Sequence, residues 1–167
     1  AGVSATMHSF SPKEVIPNLR NLMMKTPMYQ DKNTAEEDIA GCIDLIIHLS
    51  RLDTGRIVVD SIHEVCSDLS WKESILYNLG MSENDCDLKE SERLRTLLMR
   101  LGVRYIGSLL AGRSYYLKPI FRFNKTLGES GAWELLEAPS DQYFQKMSRY
   151  AGDQATEQIW KLFQSGG

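Results

Sequence analysis

The sequence predicts an α/β fold, and three features carry that prediction. Two runs rich in Val, Ile and Leu, Leu45 to Ser50 and Arg56 to Val65, flank Leu52-Asp53-Thr54-Gly55. That is the pattern of a β-hairpin whose glycine supplies a positive φ. Two helix-start signals, Ser11-Pro12-Lys13-Glu14 and Thr34-Ala35-Glu36-Glu37, each precede apolar residues at helical spacing. A further extended run, Tyr115 to Phe123, is followed by segments that look like capped helices.

Taken in order, Gly2 to Met7 alternates small, apolar and hydroxyl side chains and is expected to be a strand. The chain begins inside this element, which suggests an excised piece or a subdomain. Ser11 can cap the next helix, Pro12 suits its first position, and Glu14 can complete a capping box. Val15, Leu19, Leu22 and Met23 supply its apolar face. Pro17 is expected to kink this helix or delay its start. Thr26 to Lys32 is expected to be a loop, and a short helix is expected from Thr34 to Cys42, with Ile39, Ala40 and Ile43 inward.

After the hairpin the pattern changes. Trp71 to Leu79 is helical in spacing, and Leu88, Leu94, Leu97, Leu98 and Leu101 form a second stripe that stops before Gly102. Residues 66–114 therefore read as an inserted helical segment. Val103 to Leu110 fits a helix or a strand equally. Pro119 suggests that the strand Tyr115 to Phe123 lies at a sheet edge. Ala132 to Glu137 is its expected return strand, and Ser140 and Asp153 are expected to cap two closing helices.

At 167 residues the chain suits one domain. Hydrophobic residues make up 43% and charged residues 25%, the proportions of an ordinary globular chain. A net charge of -3 argues against a dedicated nucleic-acid binder, and no direct nucleic-acid partner is expected. No apolar run is long enough to cross a bilayer, and the first residues lack the features of a signal peptide. Cys42, Cys66 and Cys86 form no C-x-x-C pair, so no zinc framework and no bound metal are expected. Three scattered cysteines suit a reducing, cytoplasmic compartment.

The segment Thr6-Met7-His8-Ser9 carries the most chemistry. At the carboxyl end of a strand, where open α/β sheets bind ligands, an imidazole flanked by hydroxyls can donate to a phosphate oxygen. On the residues alone, an ordinary surface histidine is the simpler reading. His48 and His63 fall on the hairpin, with His48 expected to face Asp60, and both are expected to be satisfied sheet histidines. Tyr115, Tyr116, Phe121 and Phe123 suit a core better than a base-stacking surface.

Two stretches resemble one family. G-V-S-A-T-M-H-S-F-S-P-K-E-V-I-P-N-L-R, from Gly2 to Arg20, is similar to the histidine box of the secretion ATPase superfamily. Those are the motors of type II and type IV secretion, pilus assembly and conjugation. D-I-A-G-C-I-D-L-I-I-H-L-S-R-L-D-T-G-R-I-V-V-D-S-I-H-E-V, from Asp38 to Val65, resembles the run that follows the box. The resemblance covers Gly2 to Val65, returns more weakly from Tyr115 onward, and does not extend to residues 66–114.

The resemblance implies the carboxy-terminal half of a RecA-like motor domain: residues 1–65 in the ATPase core, 66–114 as the insertion, 115–167 as terminal strands and helices. It implies a homo-oligomeric, hexameric ring powered by ATP and Mg2+. That ring would be cytoplasmic, peripheral at the inner face of the membrane, beside inner-membrane secretion or pilus platform proteins. His8 would contact or sense the γ-phosphate, with Thr6 and Ser9 beside it. Arg51 and Arg56 would fall near the nucleotide or the ring interface, where a guanidinium can grip phosphate or carboxylate with two bonds. A solvated hairpin tip is the plainer reading of both arginines.

The family's phosphate-binding loop, magnesium-ligating acidic segment and catalytic acidic box precede the histidine box. This sequence starts after them, so the chain is not expected to hydrolyse ATP by itself. Phe10 and Pro17 also depart from the family's pattern. Gly107-Ser108-Leu109-Leu110-Ala111-Gly112-Arg113-Ser114 has the spacing of a phosphate loop, but Arg replaces Lys and a strand is expected to follow where a helix should open. The rival reading from another class is a non-catalytic interaction or ring-assembly module.

Overall fold

The computed structural model describes residues 3–67, 113–126, 131–154, 156–158 and 161. Four strands form one sheet in the order β1 (Leu45–Arg51), β2 (Ile57–Cys66), β3 (Tyr116–Asn124) and β4 (Ala132–Leu135). β1 with β2 and β3 with β4 are antiparallel hairpins. The helices are α1 (Val15–Met23), entered through a 3-10 turn at Pro12–Glu14, α2 (Lys32–Cys42) and α3 (Asp141–Ala151). Most of the inserted segment, residues 68–112, lies outside the described residues, and with it the expected helices there.

The described residues fall into two compact units, neither of them continuous in sequence. One gathers Ala1–Val15, Asp44–Glu64 and Lys118–Gly167; the other gathers Ile16–Ile43 and Val65–Leu117.

In the first unit the β1–β2 hairpin closes as its residues dictate. The amide of Gly55 donates to Leu52 O at 2.8 Å, and that of Leu52 donates to Arg56 O at 2.8 Å. Gly55 has φ +84°, so a three-residue loop turns through a glycine in the left-handed region. Two polar residues in succession, Asp60 and Ser61, then shift the register: His48 pairs with Ser61 but Leu49 with Val59. Asp60 is the extra residue of this bulge, and it shares a face with His48 and Ser50. On that face Ile46 and Val58 are buried.

α3 is tied to the far end of the same hairpin. Ser140 caps it, its Oγ accepting from Tyr143 N at 3.1 Å. The buried Glu64 carboxylate takes hydrogen bonds from the Ser140 amide, at 2.8 Å, and from the Ser140 hydroxyl. A carboxylate there also lies at the positive end of the helix dipole. Lys146 pairs with Asp44 at 2.8 Å, and Phe144 is buried on the helix's inner face. In the second hairpin Phe123 meets Trp133 edge-on at 5.8 Å. Glu134 accepts from Arg122 at 2.7 Å and Asn124 at 2.6 Å, and these two hold its carboxyl below the usual range.

In the second unit α1 and α2 are joined by Arg20 and Glu36, 2.7 Å apart and largely shielded from solvent. Ile16, Ala35, Ile39, Ala40 and Tyr115 are buried there. Burial raises the Tyr115 phenol above its ordinary value, against the opposing pull of Arg113, whose guanidinium lies 5.7 Å from the ring centre.

Several expectations are corrected. Residues 3–9 form no strand: the alternating pattern is there, but it has no ladder to join, and Val3 is 97% exposed. Ser11 makes no side-chain cap bond; Glu14 instead accepts from the amide of Phe10. Of the two outcomes expected of Pro17, the delayed start is the one found: α-helical bonding starts only at Val15, which puts Pro17 in the first turn, where its missing N–H breaks nothing. α2 is capped by Asp31, not Thr34, because the carboxylate reaches Thr34 N at 2.7 Å. Pro119 lies in an inner strand and not at an edge; it precedes the stretch paired with β4, Phe121 to Asn124. β4 itself stops at Leu135, short of the expected Glu137.

Candidate functional site

The structure sets the five residues singled out by sequence on two short pieces of the first unit. Thr6, His8 and Ser9 lie on the irregular stretch before the 3-10 turn; Thr6 and His8 are exposed and Ser9 is half-buried. His8 therefore does not end a strand. It is held near the chain's first turn by its neighbour: Ser9 Oγ donates to Ser11 O at 2.9 Å and to Glu14 Oε2 at 3.4 Å. The amide of Phe10 donates to the same carboxylate oxygen at 3.3 Å. Glu14 thus clamps the two residues that follow His8, while the imidazole stays open to solvent.

Arg51 and Arg56 flank the hairpin turn. Arg51 ends β1 opposite Ile57, and Arg56 immediately precedes β2; both are exposed. The turn's backbone bonds fix the spacing of the two residues, so two guanidinium groups start from neighbouring points on a short, closed loop. The 3-10 turn that follows the His8 stretch packs against β1, the strand that ends in Arg51.

A second polar cluster lies around the bulge; His48 faces Asp60 in it as expected, while the bulge itself escaped the sequence reading. Asp60 accepts from Ser50 Oγ at 3.3 Å and meets His48 Nδ1 at 3.3 Å. His48 is satisfied, as expected. His63 is not: its Nδ1 is buried without a hydrogen-bond partner. Burial first, then His48 and Lys13, push the His63 pKa below its ordinary 6.5, and Asp60 opposes them. The available signal was the polar pair Asp60-Ser61 inside an apolar strand, which marks a bulge and puts two successive side chains on one face.

The phosphate-loop look-alike fares poorly where it is described. Arg113 to Tyr115 is irregular and β3 starts at Tyr116, so no helix opens there; residues 107–112 lie outside the described part. Arg113 donates to the Tyr115 hydroxyl at 3.2 Å. Among the described residues no group of three or more His, Cys, Asp or Glu could hold a metal ion, and no helix is long and apolar enough to cross a membrane. Cys42 is exposed and Cys66 buried.

In chemical terms the site offers an open imidazole on a clamped stretch and two exposed arginines on a closed turn. Such groups suit an anion with several oxygens. No known protein family, curated protein or solved structure matches the chain.

Proposed function

We propose that this chain is the carboxy-terminal part of a hexameric ATPase that powers secretion, pilus assembly or conjugation. On this reading His8 senses the γ-phosphate, Thr6 and Ser9 shape its surroundings, and Arg51 and Arg56 serve the nucleotide or the neighbouring subunit. The observation that supports it most is spatial. The two pieces that carry the five named residues, the stretch Thr6 to Ser9 and the hairpin around Arg51 and Arg56, are separated by α1 and α2 in sequence and belong to one compact unit.

The donors present suit the phosphate end of ATP. An exposed imidazole and guanidinium groups can hold γ-phosphate oxygens, and bound ATP would supply the bond to be cleaved. Magnesium prefers oxygen ligands and the β- and γ-phosphates, and the reading assigns those ligands to another part of the motor. The ring would work in the cytoplasm, against the inner face of the membrane and its platform proteins.

A second reading, an interaction or ring-assembly module, draws on the outer face of the hairpin. Ile47 is 57%, Leu49 59% and Ile57 60% exposed there.

Nuclear magnetic resonance with Mg·ATP tests the first reading. Weak, selective shifts are expected at Thr6, His8, Arg51 and Arg56 at millimolar ATP, absent with AMP and lost in His8→Ala. No response at those four residues would sink it. So would tight calorimetric binding that survives His8→Ala, because that would demand a nucleotide site elsewhere in the chain.

A further inference from the structure

His63 lies on the hairpin face that also carries His48, Ser50, Asp60 and Ser61. Its ring is half-buried and its Nδ1 has neither solvent nor a partner. The charged groups that act on it are His48 and Asp60 of the hairpin itself and Lys13 of a turn packed against β1. His48 stands diagonally across the ladder, since Ile46 pairs with His63 and His48 with Ser61. Lys13 comes from the Pro12–Glu14 turn, which packs against β1. Asp60 opposes them, and it is already engaged by His48 and Ser50. A proton on His63 thus meets burial, the His48 ring and the Lys13 ammonium, opposed by a carboxylate with two other partners.

We propose that His63 is an acid-sensitive latch: the Pro12–Glu14 turn rests on the hairpin while His63 is neutral, and lifts when His63 takes a proton. The turn yields before the hairpin does. It has two backbone bonds of its own, Glu14 N to Ser11 O at 3.2 Å and Val15 N to Pro12 O, and no side-chain cap. The hairpin is paired along the whole of β1. Lifting the turn also releases the stretch that carries His8, whether or not that stretch ever meets a nucleotide.

The sign follows from linkage. The closed form holds His63 below its ordinary value of 6.5, and the lifted form lets it return. Acidification through 6.5 therefore favours the lifted form, until the pH falls below the closed-form value. Above that window pH has no effect through this group.

The test is a pH titration of the full chain by nuclear magnetic resonance, the three histidines being assigned by single substitutions. His63 is expected to titrate lower in the native chain than in the urea-unfolded chain. Lys13→Met, a change at an exposed side chain, is expected to move it upward. Amide protection at Glu14, corrected for intrinsic exchange, is expected to fall on acidification in the wild type and to stay level in His63→Phe. If His63→Phe does not fold, His63→Gln serves the same comparison. The latch is overturned if His63 titrates no lower in the native chain, if Lys13→Met leaves it in place, or if protection falls equally without the imidazole.

Discussion

Two stretches of this chain carry the alternation of a strand, and only one becomes part of a sheet. Leu45–Arg51 pairs along its length with β2, whereas residues 3–9 run without regular structure. Their side chains do not explain the difference: Val3, Ala5 and Met7 alternate with Ser4 and Thr6 as well as many edge strands do. The hairpin brings its own partner through Asp53-Thr54-Gly55, and a three-residue loop makes pairing almost local. Among the described residues, 3–9 have no turn-linked partner. Without a ladder, extended backbone gains no hydrogen bonds to offset the entropy of ordering it. Alternation states which face a strand would bury; a nearby partner decides whether there is a strand.

The contrast can be broken most sharply in the core. Ile46 is 7% exposed and Val3 97%. Truncating a buried isoleucine removes its transfer energy and leaves a cavity, so Ile46→Ala should cost about 3 kcal/mol in urea unfolding. Val3→Ala should stay within about 0.5 kcal/mol. A comparable loss at Val3 would mean that residues 3–9 pack after all, and the contrast would disappear.

The turn is the next place to press. Gly55 has φ +84° with open space around it, so the strain of a substitution is conformational and not steric crowding. Gly55→Val should cost roughly 1–2 kcal/mol, because a β-branched residue resists the left-handed region, and Gly55→Asn should recover most of it. Thermal unfolding of the pair checks the order. Equal midpoints would show that the hairpin holds by its faces alone, and that the loop is not what separates it from residues 3–9.

Much of this architecture was legible, for reasons that the residues make plain. The hairpin, the inner run Tyr116–Asn124 and the Ser140 cap all combine a local signal with a local outcome. Errors arose where two signals competed or where the outcome was distant. Asp31 and Thr34 are both capping types, and the charged acceptor takes the amide. Pro119 marks a strand position without an amide to donate, which occurs at edges but also in an inner strand ahead of its paired stretch. The candidate site was legible as residue types, His8 with hydroxyls and two arginines around a turn. Its mounting was not, since Glu14 holds the Phe10 amide, one residue before the Ser11 amide that a capping box would use, and Ser11 makes no cap bond in return. The orphaned His63 nitrogen was beyond reach of the sequence, because the bulge at Asp60 and the turn at Lys13 meet only in the fold.

The smallest expected effect bears on what keeps residues 3–9 in place without a ladder. Glu14 accepts from the Phe10 amide at 3.3 Å and from Ser9 Oγ at 3.4 Å, both exposed to solvent. Exposed bonds of that length contribute little to global stability, and Glu14→Ala should shift it by less than about 0.5 kcal/mol. Locally it should matter more. The Phe10 amide loses its acceptor, so its hydrogen exchange should speed up several-fold while amides of β1 keep their protection. Unchanged exchange at Phe10 would show that Ser9 Oγ, through its 2.9 Å bond to Ser11 O, tethers the stretch alone. In that case Ser9→Ala should produce the loosening that Glu14→Ala did not, and the hydroxyl beside His8 would be the group that positions the imidazole.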